Sequence, residues 1–213
     1  MKDFEYIAIE GCIGAGKTSL AQLLAERNNA RALLERFEDN PFLPKFYEDK
    51  ERYAFQTQVA FLANRFKQQK NLLSQDLFHE FTITDYTFYK DRIFARVNLE
   101  GDEFWLYESI YEAMSGISPT PDLVIYIKQT TDRLMDNIKW RGREYEQNIS
   151  REYIDELNHQ YNQFFSHYNK TPLMTINATQ IDFVNKEKHL HYIEEQIFNV
   201  PIHDYTYLDI VPE

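Results

Sequence analysis

Eight residues, Gly11-Cys12-Ile13-Gly14-Ala15-Gly16-Lys17-Thr18, fit the pattern G-x-x-x-x-G-K-[ST] at every fixed position. Glycines in such a loop let backbone N–H groups converge on phosphate oxygens, and a following helix N-terminus adds positive potential. Lys17 can then reach the β- and γ-phosphates, and the Thr18 hydroxyl can coordinate Mg²⁺. The expected phosphate-binding set is these eight residues together with Ser19. Cys12 reads as a small loop residue, although a helix N-terminus can lower a thiol pKa.

A phosphate loop does not say what becomes of the phosphate. A guanine-dependent switch needs Asn-Lys-x-Asp after a strand. The chain has only "NKTP" at Asn169 and "NKEK" at Asn185, neither with the aspartate. A phosphoryl-transferring enzyme needs a carboxylate for the acceptor hydroxyl, another for the metal, and mobile cations for the moving group. Glu35 and Asp85 each end an expected strand, at the carboxyl edge of a sheet where ligands bind in open α/β folds. Arg141-Gly142-Arg143 opens a polar stretch, about residues 141–149, that suits a lid. A nucleoside monophosphate kinase of the thymidylate-kinase kind and a non-catalytic nucleotide-binding switch are the alternatives.

The elements that must position these groups alternate. "YIAIEG" is a short buried strand, and Lys17 to Asn28 is helical. "ARALLE", "FTITDY", the nearly all-apolar "DLVIYIK" and "PLMTINA" supply four more strands. Between them lie a long helix from about Lys50 with Phe55, Val59, Leu62 and Phe66 on one stripe, and helices over Tyr89–Val97, Glu103–Ser115 and Asp132–Trp140. Ser150 caps a further helix with Ile154, Leu157, Tyr161 and Phe165 in register, and Val184–Phe198 is the last. The final "NVPIHDYTYLDIVPE" has no clear pattern. Strands separated by helices imply one α/β domain over residues 1–213: a doubly wound, five-stranded parallel sheet with helices on both faces.

The formal charge of −11 argues against nucleic acid or an anionic membrane as partner, since both need a basic face. The lack of a long apolar run or a cationic-apolar leader, and a single cysteine, lead to the expectation of a cytoplasmic protein with no membrane association.

Taken in order, "EDNPFLPKFYED", "RYAF", "DYTFYKDRIFA" and "RGR" resemble the deoxyribonucleoside kinases of the deoxycytidine, deoxyguanosine and deoxyadenosine kinase type, the bacterial purine enzymes above all. The resemblance runs from the phosphate loop to "NATQIDF". It implies transfer of the ATP γ-phosphoryl group to the 5′-hydroxyl of a deoxynucleoside with Mg²⁺, in a homodimer. By this resemblance Glu35 is the general base, and Tyr47 and Glu146 hold the sugar 3′-hydroxyl. Gln58 meets the base edge, Arg65 and Asp91 form a polar pair beside it, and Phe94 stacks on it. Thr18 and Asp85 hold the metal, Arg141 and Arg143 are lid cations, and Asp182-Phe183 lies near the adenine of ATP. Gln58 and Arg65 are seven apart on one helix and so share a face.

The chain departs from the family's pattern twice. Asp85-Tyr86-Thr87 stands where an arginine often follows the carboxylate, and Asn137 stands at the first lid arginine. Lys139 is a candidate to supply the charge missing there.

Overall fold

The computed structural model describes residues 4–70, 72, 78–116, 118–146, 148–179 and 181–209. The strand β1 (Tyr6–Gly11) is buried at every position and lies inside the sheet, paired with β3 (Thr82–Thr84) on one side and β4 (Leu123–Lys128) on the other. The short edge strand β2 (Arg31–Leu33) continues beyond β3, and β5 (Leu173–Asn177) continues beyond β4. The sheet does not stop there. A sixth strand, β6 (Tyr205–Asp209), pairs in parallel with β5, so the order is β2-β3-β1-β4-β5-β6. The expected five-stranded sheet is therefore a six-stranded one. β6 escapes a reading by pattern because it is an edge strand with a single buried residue, Leu208, and its neighbours face water. The rest of the parallel, doubly wound architecture is as expected.

Helices cover both faces. On one, α1 (Lys17–Arg27) lies against β1, β2 and β3 and is joined to α8 (Glu187–Phe198) by Arg27, which pairs with Glu187 and Glu194. On the other, α3 (Lys50–Lys70), α4 (Tyr89–Asn98), α5 (Gly101–Ser115) and α7 (Arg151–Ser166) pack on one another. The Ser150 hydroxyl accepts from the Tyr153 N–H at 3.2 Å and starts α7, whose Ile154, Leu157, Tyr161 and Phe165 are all buried. Phe165 stacks on Tyr126 of β4 at 4.4 Å between ring centroids. Such a pair adds about 0.5–1.5 kcal/mol beyond the area it buries.

The remaining helices are α2 (Leu43–Glu48), which composition did not suggest, and α6 (Thr131–Arg141). α8 begins at Glu187 rather than Val184, because the Asp182 carboxylate accepts from the Asn185 N–H at 2.9 Å and holds residues 182–185 in a turn.

Candidate active site

The phosphate loop joins β1 to α1. Gly14 sits at φ +84°, and a Cβ there would lie 2.7 Å from the Leu134 carbonyl oxygen of α6. Gly16 sits at φ +90°, under the ring of Phe183. Only glycine adopts these angles without strain and tolerates such close approach. Asn137 donates its side-chain amide to the Gly14 carbonyl at 2.8 Å and to Gln129 at 3.1 Å, so the residue at the absent arginine's place braces the loop. Lys139 is exposed on the same helix and lines neither cavity described below, while Arg133 does line one. Lys17 donates to the Cys12 carbonyl at 2.9 Å, and burial with Lys90 nearby lowers its pKa to about 8. The Cys12 thiol is pushed the other way from an activated cysteine. Burial raises it to about 12, against the pull of Lys17.

Two carboxyl-edge groups, Asp85 and Glu35, meet beside this loop. Asp85, the residue after β3, accepts from the Thr18 hydroxyl at 2.5 Å through one oxygen and from the Glu35 N–H at 2.7 Å through the other. Asp85 therefore ties the phosphate-loop threonine to the segment carrying Glu35, which lies two residues beyond β2 rather than at its end. The hydroxyl of Thr18 and the carboxylate of Asp85 are hard oxygen donors side by side and suit Mg²⁺. Among the described residues no three His, Cys, Asp or Glu side chains gather as a metal cluster. A metal here needs nucleotide phosphates to complete its shell, as is usual for Mg²⁺.

Glu35 lies in a cavity of about 100 Å³ that also takes in Tyr47, Gln58, Arg65, Lys90, Phe94 and Glu146. The Arg65 Nε donates to Glu35 Oε1 at 2.7 Å, its Nη2 reaches the same oxygen, and its Nη1 holds Asp91. Lys90 donates to Glu35 Oε2. Burial alone would raise the Glu35 pKa, but the two cations outweigh it and hold the group at about 2. Asp91 is fully buried and does not line the cavity, so it reaches the cavity through Arg65. Burial pushes it up to about 7 despite Arg65. Gln58 and Arg65 share the wall, as their spacing required. The buried Gln58 Oε1, Asp91 Oδ2 and Tyr107 hydroxyl have no hydrogen-bond partner. Buried polar groups are normally paired, so an orphan carbonyl on a cavity wall points to a ligand that donates to it. Tyr47 stacks on Tyr145 with centroids 5.8 Å apart, and Phe94 meets Tyr161 edge-on at 6.2 Å.

Lys90 and Glu10 are the charged site groups that sequence reasoning left unassigned. Glu10, within β1, is fully buried and accepts from the Thr87 N–H at 2.6 Å and the Thr87 hydroxyl at 2.8 Å. Burial raises its pKa against the pull of Lys90 and Lys17. The available signal was an acid inside an otherwise apolar strand and a lysine in the first turn of a helix that faces the same edge.

A second, larger groove of about 600 Å³ runs along the other side of the loop, past Ser19, Arg133, Asp182 and Phe183. Both cavities share Gly14, Lys17, Thr18, Arg141 and Arg143 in their walls. The two arginines flank a turn at Gly142, φ +67°, and both pair with the buried Glu146. Arg141 Nε contacts it at 3.1 Å, and the Arg143 guanidinium also lies 3.8 Å from the Phe37 ring centroid. Gln147, inside the expected lid, lies outside the described residues.

The arrangement places a carboxylate beside one pocket and a phosphate-type loop beside the next, with Arg141 and Arg143 between them. Known proteins resemble the chain that carries it. A family model described as deoxynucleoside kinase matches residues 7–202. The deoxyadenosine/deoxycytidine kinase of Bacillus subtilis (strain 168) is 34% identical over 206 residues, covering 93% of each chain. The deoxyguanosine kinase of the same organism is 37% identical over 158 residues, 74% of this chain and 76% of that one. The solved structure of deoxyadenosine kinase from M. mycoides with bound dCTP superposes with a TM-score of 0.79 at 27% identity, over 90% of this chain and 98% of that one. A match of this extent, on a chain whose carboxylate and phosphate loop meet as described, leaves one assignment: the chain belongs to the deoxynucleoside kinase family.

Proposed function

We propose that this deoxynucleoside kinase transfers the γ-phosphoryl group of ATP to the 5′-hydroxyl of a purine deoxynucleoside, deoxyadenosine first and deoxyguanosine second. The observation that carries the reading is the shared wall. The acceptor cavity and the donor groove meet only across the phosphate loop and the lid arginines, and Glu35 stands on the acceptor side. In this reading Glu35 takes the proton of the 5′-hydroxyl, and Lys17 with the loop amides binds the donor phosphates. Thr18 and Asp85 hold Mg²⁺, which when bound supplies charge neutralisation on the phosphates. Arg141 and Arg143 leave Glu146 and close on the transferring group, freeing Glu146 and Tyr47 for the sugar. Asp182 and Phe183 flank the donor base. A cytoplasmic, homodimeric enzyme without nucleic-acid or membrane partners completes the proposal. No described helix is long and apolar enough to cross a membrane.

Base choice rests on the acceptor wall. Gln58 offers both a carbonyl and an amide, which matches the amino group and ring nitrogen of adenine. The relatives named for deoxyadenosine and deoxyguanosine support a purine. Thymine presents a carbonyl and a methyl group where adenine presents its amino group, so it must shift in the pocket to make a two-point contact with Gln58, and a buried polar group left unpaired costs about 1–3 kcal/mol. The order expected is deoxyadenosine, deoxyguanosine, deoxycytidine, thymidine, with a wrong base losing about one to two orders of magnitude in kcat/KM. Ribonucleosides should be poorer than their deoxy counterparts. The check is an ADP-release assay across these nucleosides and the nucleoside monophosphates, with Arg65→Met and Asp91→Ala beside the parent. Thymidine as the best substrate, or variants with an unchanged purine-to-thymidine ratio, would refute the base assignment. Preference for a monophosphate acceptor would refute the reaction.

A further inference from the structure

We propose that Lys90 is a catalytic cation of this enzyme: it holds Glu35 ready and then binds the phosphoryl group as that group arrives on the acceptor oxygen. The inference rests on Glu35 as the acceptor base. It begins with the oxygens of that carboxylate. Oε1 takes two N–H groups from Arg65, while Oε2 takes only Lys90. A carboxylate oxygen has about two lone-pair sites, so Oε1 is full and Oε2 keeps one open. The substrate's proton must therefore go to Oε2, the oxygen that Lys90 touches.

The ammonium has the donors for a second partner. It carries three N–H groups, of which one is bound to Glu35. Its position fits too. It sits in the acceptor cavity, near enough to Lys17 to lower that residue's pKa, and Lys17 marks where the donor phosphates lie. The charged groups around it are Glu35, Asp91 and Glu10 on the anionic side and Lys17 on the cationic side, with the Phe94 ring 5.7 Å away. Glu10 is held by Thr87 and does not face the substrate, so Lys90 keeps one fixed counter-charge when Glu35 becomes neutral.

The step then balances. The 5′ O–H bond breaks and its proton goes to Glu35 Oε2. The 5′-oxygen bonds to the γ-phosphorus, and the bond to the β,γ-bridging oxygen breaks, its electron pair leaving with ADP. Neutralising Glu35 removes an anion from Lys90 at the moment a phosphoryl dianion arrives within its reach. Unlike the lid arginines, Lys90 comes from the first turn of a packed helix and need not close from outside. It also answers the missing cation next to Asp85, since Tyr86 occupies that position and supplies no charge.

The test compares Lys90→Met, Lys90→Gln and Lys90→Arg with Glu35→Gln. The readouts are kcat and the affinities for deoxyadenosine and its 5′-monophosphate by calorimetry. Losing one preorganised stabiliser should lower kcat by about 10²–10³-fold in the Met and Gln variants. The monophosphate-to-nucleoside affinity ratio should fall by about tenfold, near the low end of what a hydrogen bond to a charged group contributes, and Arg should restore most of both. An unchanged affinity ratio, or kcat within a few-fold of the parent in a folded Met or Gln variant, would overturn the proposal and leave Lys90 a buried counter-ion. If Glu35→Gln turns over normally while Lys90→Gln does not, the base reading fails and the cation stands. The reverse pattern sinks the cation alone.

Discussion

Glu35→Gln should lower kcat by about 10²–10⁴-fold, the usual contribution of general acid–base catalysis. The amide keeps the shape of the carboxylate and one acceptor for Arg65, so deoxynucleoside affinity should change little. What is lost is the ability to take a proton. The free protein shows how that ability is controlled. With Arg65 and Lys90 both on the carboxylate, its pKa is about 2, which makes it a weak base. Steady-state kinetics with saturating ATP and deoxyadenosine provide the check, and near-parental turnover in the Gln variant would end the assignment.

Arg141→Ala combined with Arg143→Ala should lower kcat by about 10³-fold or more, as for other arginines that stabilise a transferring phosphoryl group. The nucleoside KM should rise less than kcat falls, because the charge they meet develops mainly in the transition state. The structure complicates the single variants in an informative way. Both arginines rest on Glu146, whose side chain is only 5% exposed. Removing one leaves Glu146 with the other, whereas removing both strands a buried anion on the acceptor wall. A modest rise in nucleoside KM is therefore expected of the double variant alone. A raised KM with unchanged kcat would place the arginines in acceptor binding rather than transfer.

Much of this site was legible in the sequence, for reasons that can be named. The phosphate loop is local: a strand, a turn and a helix carry all its chemistry within a few residues. The buried parallel strands show as apolar runs because both faces are covered. Glu35 and Asp85 were expected from strand ends, and helical spacing put Gln58 and Arg65 on one face, while their roles came only from the family resemblance. What failed to show was tertiary. Arg65 holds the Asp91 that the resemblance paired with it, but it also reaches Glu35, 30 positions away, and no spacing rule announces that second contact. Lys90 reads as a solvated lysine until α4 is folded onto α3. The pairing of the lid arginines with Glu146 depends on the turn at Gly142. β6 is an amphipathic edge whose exposed tyrosines hide its strand character.

The sheet order also bears on how the protein is made. β1 is synthesised before either of its two partners, residues 82–84 and 123–128. On the ribosome this apolar strand leaves the tunnel with nothing to pair with until residues 82–84 have followed, and its other edge waits for residues 123–128. α1 can shield one of its faces, but its backbone edges stay open. Long-range parallel pairing of this kind is slow and leaves strands exposed to wrong partners meanwhile. Nascent chains stalled before β4 has emerged should be cut by protease within β1, and chains stalled beyond it should be protected there. The strand that leads into the phosphate loop thus depends, during biosynthesis, on sequence translated long after it.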